Sequence, residues 1–294
     1  MSDIISTKGL TKYYGKVRAV NNLDLAVAAG EIFGFLGPNG AGKTTTIRVL
    51  LNLIRPSSGS ASIFGMDTCR DYVEVHRRLG YIPSDAVFYN GMTGREYLSL
   101  MAGFRGNNSR KRLIELQDRF ELDLDRQTSA YSRGMKQKLA LIQAFMSDPE
   151  LLILDEPTLG LDPLMQHSFN NLLIEERERG KTVFLSSHLL PEVERVCDRV
   201  GIIKEGEMVT VEEIDNLKRK RVRHIDLYLN KEIPVEDIKL ADTEILEING
   251  KLVRLRFSGQ TPELLKQLSN LPLDDIVFPE ASLEDTFMEY YGEK

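Results

Sequence analysis

An apolar run, EIFGFLG (Glu31 to Gly37), leads into GPNGAGKTT (Gly37 to Thr45) and then into a helical stretch. That succession of strand, glycine loop and helix constrains the chain more than any other segment. The loop fits the spacing G-x-x-x-x-G-K-[ST]. Gly37, Gly40 and Gly42 let the backbone turn tightly, so several N–H groups can converge on one phosphate, with Pro38, Asn39 and Ala41 between them. Lys43 can reach the β and γ phosphates, and the Thr44 hydroxyl can ligate Mg²⁺. Thr45 opens the helix whose N-terminus faces the anion. The flanking strand and helix are the context that separates such a loop from an accidental glycine turn.

Other apolar runs give the loop a setting. Leu23, Leu25 and Val27 alternate with polar or small residues, and Ala29-Gly30 ends that strand. LLILDE (Leu151 to Glu156) and TVFLSSH (Thr182 to His188) are continuous apolar runs ending in polar residues. Strands buried on both faces read this way, and helical segments separate them here. An α/β fold with a mostly parallel sheet flanked by helices follows. Functional residues are then expected at the carboxyl ends of the strands. Asp155 there is placed to hold Mg²⁺ through water, and Glu156 to act as a base on an attacking water. His188 ends the third run. A lone histidine is more often structural, but the strand-end position favours a phosphate contact.

Composition narrows the setting. The 294 residues are 42% hydrophobic and 28% charged, values of a globular protein, with room for one large or two modest domains. A net charge of -6 argues against non-specific nucleic-acid binding. Cys69 and Cys197 lie far apart and suggest a reducing compartment rather than a disulfide or zinc framework. The N-terminal MSDIISTKGL lacks the basic-then-apolar plan of a secretory signal, and no apolar run approaches the ~20 residues that span a bilayer. The expectation is a cytoplasmic protein that acts at a membrane only through a partner.

The composition shifts near NLKRKRVRH (Asn216 to His224), which suggests domains at 1–215 and 216–294. Lys218, Arg219, Lys220, Arg221 and Arg223 form either a solvated linker or a contact for acidic headgroups or an acidic partner. Beyond them HIDLYL alternates like a strand. ILEINGKLVRLRF reads as a hairpin about Asn249-Gly250, and Thr261-Pro262 starts a short helix through Leu268. Ser282 with Asp285 forms a capping-box pattern, with Leu283 and Phe287 on one face. A small α+β domain is expected.

YSRGMKQK (Tyr131 to Lys138) poses a separate question. Ser132 can cap a helix in which Met135, Leu139, Ile142 and Met146 recur at helical spacing. Arg133, Lys136 and Lys138 load a helix end that is already electropositive, which costs stability unless an anion sits there.

Together these residues resemble the nucleotide-binding subunit of an ATP-binding cassette (ABC) transporter over about the first 215 residues. Gly37 to Thr45 looks like the Walker A motif and Leu151 to Asp155 like Walker B, with Glu156 as catalytic glutamate. LGLD (Leu159 to Asp162) looks like the D-loop, and His188 like the switch histidine. YSRGMKQK stands where the family carries LSGGQ; Ser132 and Gly134 are kept, while Arg133 and Met135 are not. TKYYGK resembles the loop whose aromatic stacks on adenine, with Tyr14 ahead of Tyr13. After GYIP the family has Gln or Glu; this chain has Ser84, too short for that role, and then Asp85 as the candidate substitute. The resemblance implies a P-loop NTPase domain with an antiparallel N-terminal β subdomain and a helical signature subdomain.

It also implies ATP and Mg²⁺ as cofactors and a head-to-tail homodimer, or paired cassette, closed over two ATPs. Each ATP would be completed by Ser132 and Gly134 of the other cassette, with Asp162 nearby. The partner implied is an integral-membrane permease on whose cytoplasmic side the subunit sits. SRGMKQKLALIQAF and the terminal PEASLEDTFMEYYG resemble the branch that exports drugs, antibiotics, lipids or ions. Two rival readings are a soluble ABC ATPase acting on ribosomes or nucleic acid and a weakly hydrolysing regulator. The single cassette and acidic balance favour the exporter.

Overall fold

The computed structural model describes residues 3–105, 110–219, 223–234, 238, 240–257, 261–269 and 271–278. The chain divides into two compact units, Met1–Ile214 and Asp215–Lys294.

The first unit is built around a six-stranded sheet. Its order is Glu207–Glu213, Arg199–Lys204, Ile32–Leu36, Thr182–Ser187, Leu151–Asp155 and Leu79–Ile82. All neighbours pair in parallel except the edge strand Glu207–Glu213, which is antiparallel to Arg199–Lys204. Every residue of Ile32–Leu36, Leu151–Asp155 and Thr182–Ser187 is buried, so the continuous apolar runs do mark strands covered on both faces. Phe184 lies between two rings of the neighbouring strand, its centroid 5.9 Å from Phe33 and 5.3 Å from Phe35. The register fixes where the strands end. Leu36 pairs with Ser187, and Asp155 pairs with Ser186. The next residues, Gly37, His188 and Glu156, therefore leave the sheet along one edge.

Two further layers flank this sheet. An antiparallel sheet runs in the order Val17–Ala28, Asp3–Tyr14, Ser58–Ile63 and Met66–Asp67. Leu23, Leu25 and Val27 point into its core as their alternation requires. A helical part contains Gly94–Arg105, Arg110–Phe120 and Arg133–Phe145. The last helix packs on strand Leu79–Ile82 so closely that a Cβ on Gly80 would lie 2.4 Å from the Ala144 carbonyl oxygen. Buried Glu176, on the helix Pro163–Glu178, pairs with Arg112 and Arg179, which ties the helix Arg110–Phe120 to the core layer. These are the antiparallel and helical subdomains that the resemblance implied.

The second unit is α+β. Its antiparallel sheet has the order Thr243–Asn249, Leu252–Phe257, Arg223–Leu229 and Leu273–Val277, with the helix Thr261–Leu268. Ile225, Leu227, Val253, Leu255, Phe257, Leu264 and Leu268 form its core. The hairpin turns one residue later than the Asn249-Gly250 reading. Asn249 pairs with Leu252, so Gly250 and Lys251 are the central residues. Gly250 alone takes a positive φ, +58°, which is the type II′ arrangement with glycine first. Ser282, Leu283, Asp285 and Phe287 lie outside the described residues, as do Lys220 and Arg221 of the basic run.

Replacing Phe184 by Ala empties the contact between the two central strands. The expected loss is about 3–5 kcal/mol of unfolding free energy for the first unit, read from denaturant titration of the full chain.

Candidate functional site

The loop from the central strand is shaped by two close backbone approaches. A Cβ on Gly37 would lie 2.4 Å from the Ile203 carbonyl oxygen, so only glycine fits. Gly42, at φ +108°, would place a Cβ 2.5 Å from the Ala19 carbonyl oxygen, and its backbone is one that other residues rarely adopt. The Gly37 N–H donates to the Ser187 carbonyl at 3.2 Å, and the Gly206 N–H donates to the Ala41 carbonyl at 2.9 Å. The loop thus anchors to its neighbours and enters the helix Lys43–Leu50, whose first turn carries no acid. The leading N–H groups of such a helix have no partner within it and suit an anion.

A cavity of about 500 Å³ lies over this helix end. Pro38, Asn39, Gly40, Gly42, Lys43, Thr44 and Thr45 line it from the loop side. Gly37 and the buried Ala41 shape the loop from beneath and do not reach the wall. Glu156, His188 and Ser84 also line it.

Three titratable side chains converge there. The Lys43 ammonium, almost fully buried, donates to the Gly37 carbonyl at 2.6 Å and the Pro38 carbonyl at 3.2 Å, and lies 3.4 Å from Glu156 Oε1. Glu156 Oε2 lies 2.8 Å from His188 Nδ1. Glu156 holds φ +50°, the left-handed region, which costs a non-glycine residue about 1–3 kcal/mol and persists only where the surroundings impose it. Here its N–H donates to both the carbonyl and the hydroxyl of Ser186, each at 3.2 Å. The turn aims the carboxylate into the cavity instead of along the strand.

Asp155 is fully buried. Its Oδ1 accepts the Ser186 hydroxyl at 2.6 Å, and its Oδ2 has no hydrogen-bond partner. A buried acceptor left open beside the glycine loop is costly unless a cation or ordered water completes it. Burial, followed by the negative charge of Asp155, raises the Tyr81 phenol to about 12, so that ring stays neutral beside the carboxylate. Hard oxygens from Asp155 and Thr44 suit Mg²⁺, which binds with one or two protein ligands plus water and phosphate oxygens. Among the described residues no cluster of three or more His, Cys, Asp or Glu is placed to hold a metal by itself.

The remaining sequence candidates lie off the cavity wall. Asp85 is exposed and does not line it; the short Ser84 does. Tyr13 and Tyr14 end strand Asp3–Tyr14, both 45% exposed, with the Lys12 ammonium 5.4 Å from the Tyr14 ring centroid. Ala19 is the residue of the antiparallel sheet that reaches the wall. Ser132 caps the helix Arg133–Phe145, accepting the Met135 N–H at 3.3 Å, and that helix too has no acid in its first turn. Gly134 abuts the next loop, where a Cβ on it would lie 2.8 Å from the Gly160 carbonyl oxygen. The Arg133 stem runs past Gly160, its Cγ 3.4 Å from where a Cβ would sit. Asp162 caps the helix Pro163–Glu178, accepting the Met165 N–H at 2.9 Å.

Other buried polar residues hold the loops and were not singled out from the sequence. Gln137 donates to the Pro157 carbonyl at 2.7 Å. Ser186 serves both acids, and Ser187 and Thr158 donate to Glu192. The two serines at the end of an otherwise apolar strand were the visible signal. Glu192, on a surface-like helical turn, had none.

Comparisons with known proteins point to one family. The family model described as ABC transporter matches residues 20–159. The bacitracin transport ATP-binding protein BcrA of Bacillus licheniformis is 38% identical over 302 residues, covering 99% of this chain and 98% of that protein. The daunorubicin/doxorubicin resistance ATP-binding protein DrrA of Streptomyces peucetius is 39% identical over 219 residues, 73% of this chain and 66% of its own length. A solved ATP-binding subunit of an ABC transporter superposes with a TM-score of 0.69 at 33% identity, covering 74% of this chain and 92% of that one.

Gly37→Ala forces a Cβ against the Ile203 carbonyl. An overpacking penalty of about 1–3 kcal/mol is expected at the loop, read as a roughly 5- to 150-fold loss of ATP affinity by calorimetry with the circular dichroism spectrum kept.

Proposed function

The chain belongs to the ABC transporter family as an ATP-binding subunit of the drug- and antibiotic-export type, and on that premise we propose how its residues bind and hydrolyse MgATP to drive a membrane permease. It is an ATPase. The observation that carries the mechanism is the chain of contacts Lys43–Glu156–His188 across the cavity. In this reading the Gly37–Thr45 loop and the helix end behind it cradle the phosphates. Lys43 moves from the loop carbonyls and Glu156 to the β and γ phosphates. Glu156, released from Lys43, takes a proton from the attacking water. His188 holds Glu156 through Nδ1 and leaves Nε2 to meet the γ-phosphate. Thr44 and, through water, Asp155 would hold Mg²⁺, which neutralises charge building on the phosphate oxygens. The unpartnered Asp155 Oδ2 supports that assignment.

Tyr14 stacks on the adenine, supported by its exposure at the end of its strand. Ser132, Gly134 and Asp162 do not line the cavity, which suits groups that serve an ATP held by a second cassette. The Ser132-capped helix then points its N-terminus, with Arg133 and Lys136 beside it, at that ATP's γ-phosphate. Closure and reopening of such a head-to-tail pair is a ligand-linked population shift that a permease can follow. No helix among the described residues is long and apolar enough to cross a membrane. In this reading, attachment to the cytoplasmic face of the membrane runs through the permease. The full-length similarity to a bacitracin transport subunit supports an antibiotic or another drug as cargo.

Glu156→Gln should lower kcat about 10²–10⁴-fold with ATP binding retained, the size of a lost general base. Turnover at the wild-type rate, with contaminating ATPase excluded, sinks the assignment. Affinity purification of the full chain from detergent-solubilised membranes should bring down a polytopic membrane protein; recovery of ribosomes or RNA instead overturns the permease partner.

A further inference from the structure

Glu156 and His188 sit on separate loops, after different strands, and must meet within 2.8 Å. Each loop carries a hydroxyl close behind the working side chain. Thr158 follows Glu156 by two residues, and Ser187 directly precedes His188; both are buried. One carboxylate receives both. Glu192 Oε1 accepts the Thr158 hydroxyl at 2.7 Å, and Glu192 Oε2 accepts the Ser187 hydroxyl at 2.6 Å. Hydrogen bonds to an ionised acceptor are short and about twice as strong as neutral ones. We propose that Glu192 is a positioning residue that clamps these two loops together and so sets the Glu156–His188 contact. The proposal rests on the reading of Glu156 and His188 given above.

The clamp has a fixed base. Glu192 lies in the first turn of the helix Leu190–Val196. The neighbouring Val193 is fully buried, so close to the central strand that a Cβ on Gly34 would lie 2.4 Å from Val193 Cγ1. The helix therefore cannot slide without a clash on the sheet. The bonds also fix the backbone on both sides of His188. As Ser187 donates to Glu192, its oxygen accepts the Leu189 N–H at 3.0 Å, which bends the chain around the histidine. On the other loop, the Leu159 N–H returns to the Glu156 carbonyl at 3.2 Å, and Thr158 is the anchored residue within that turn. Glu192 does not line the cavity, so it acts on the reaction only through the loops it holds.

A carboxylate accepts from both hydroxyls at once, whereas a carboxamide offers one oxygen and one donating nitrogen. Glu192→Gln keeps the shape but replaces two charge-assisted bonds by neutral ones, one of which the hydroxyl must accept rather than donate. It also leaves the Ser187 hydroxyl free to turn to the Leu189 carbonyl at 3.3 Å. Misplacing reacting groups by about 1 Å can cost on the order of 10²-fold in rate.

The test measures ATPase kinetics, ATP affinity by calorimetry and thermal melting on the full chain with its co-purified membrane subunit. The enzymes compared are wild type, Glu192→Gln, His188→Ala and the double variant. Glu192→Gln is expected to lower kcat roughly 10- to 100-fold with ATP affinity within about twofold of wild type. In the His188→Ala background the same change should cost less than about threefold, because residues in one network are non-additive. Unchanged kcat in Glu192→Gln overturns the clamp, and so do losses that multiply in the double variant. Parallel falls in ATP affinity and melting temperature overturn it too, since they mark a merely structural residue. Wild-type turnover in His188→Ala would instead overturn the reading of His188, and the clamp with it. Thr158→Val removes one of the two bonds without touching the helix. It should give an intermediate fall in kcat at unchanged affinity, and it carries the test if Glu192→Gln does not fold.

Discussion

The site depends on one constraint, the register of three parallel strands buried on both faces. Leu36 against Ser187 and Asp155 against Ser186 bring three chain segments to one edge of the sheet. Adjacent strands are about 4.8 Å apart, so groups leaving neighbouring strand ends are within side-chain reach of one another. The middles of these three strands are apolar or glycine and fully buried, and polar residues are confined to the strand ends. The glycine loop, the acid pair and the histidine occupy those ends because they cannot be accommodated further in. A one-residue slip of any of these strands would turn its side chains to the other face and separate the ammonium, carboxylate and imidazole.

Around that edge the molecule accepts local costs that would be faults elsewhere. Glu156 sits in the left-handed region, Asp155 keeps an unpartnered buried oxygen, and two glycines press against neighbouring carbonyls. Each is held by something outside itself: the Ser186 carbonyl and hydroxyl, the Ser187 carbonyl, the Gly206 amide, and the hydroxyls gathered by Glu192. Such strain persists only in a scaffold that over-determines it. The closely packed sheet, with Phe33, Phe35 and Phe184 in contact, is that scaffold.

Much of this was legible in the residues. Continuous apolar runs gave the parallel strands, alternation gave Leu23, Leu25 and Val27, and the glycine spacing gave the loop, because each depends on neighbours in the chain. The hairpin in the second unit was legible to within one residue; Gly250 is the only turn residue with positive φ, and it takes the first central place instead of the second. The question raised by the basic helix start at Ser132 narrows in the same way. The cap is local and was expected. The course of Arg133 past Gly160 is set by a loop that lies 27 positions away (160 − 133) and could not be read from either segment alone.

The sequence by itself determined which segments form strands, where the glycine loop lies and which acids and histidine end the strands. Burial period and glycine spacing are short-range properties, and they suffice for that. Only the tertiary structure decided that Ser84 rather than Asp85 faces the cavity, that Lys43 and His188 share Glu156, and that Glu192 joins two loops. Those contacts link residues brought together by strand order and helix packing, and a hydrogen bond of 2.6 to 2.8 Å is a condition on three-dimensional placement that no local pattern encodes.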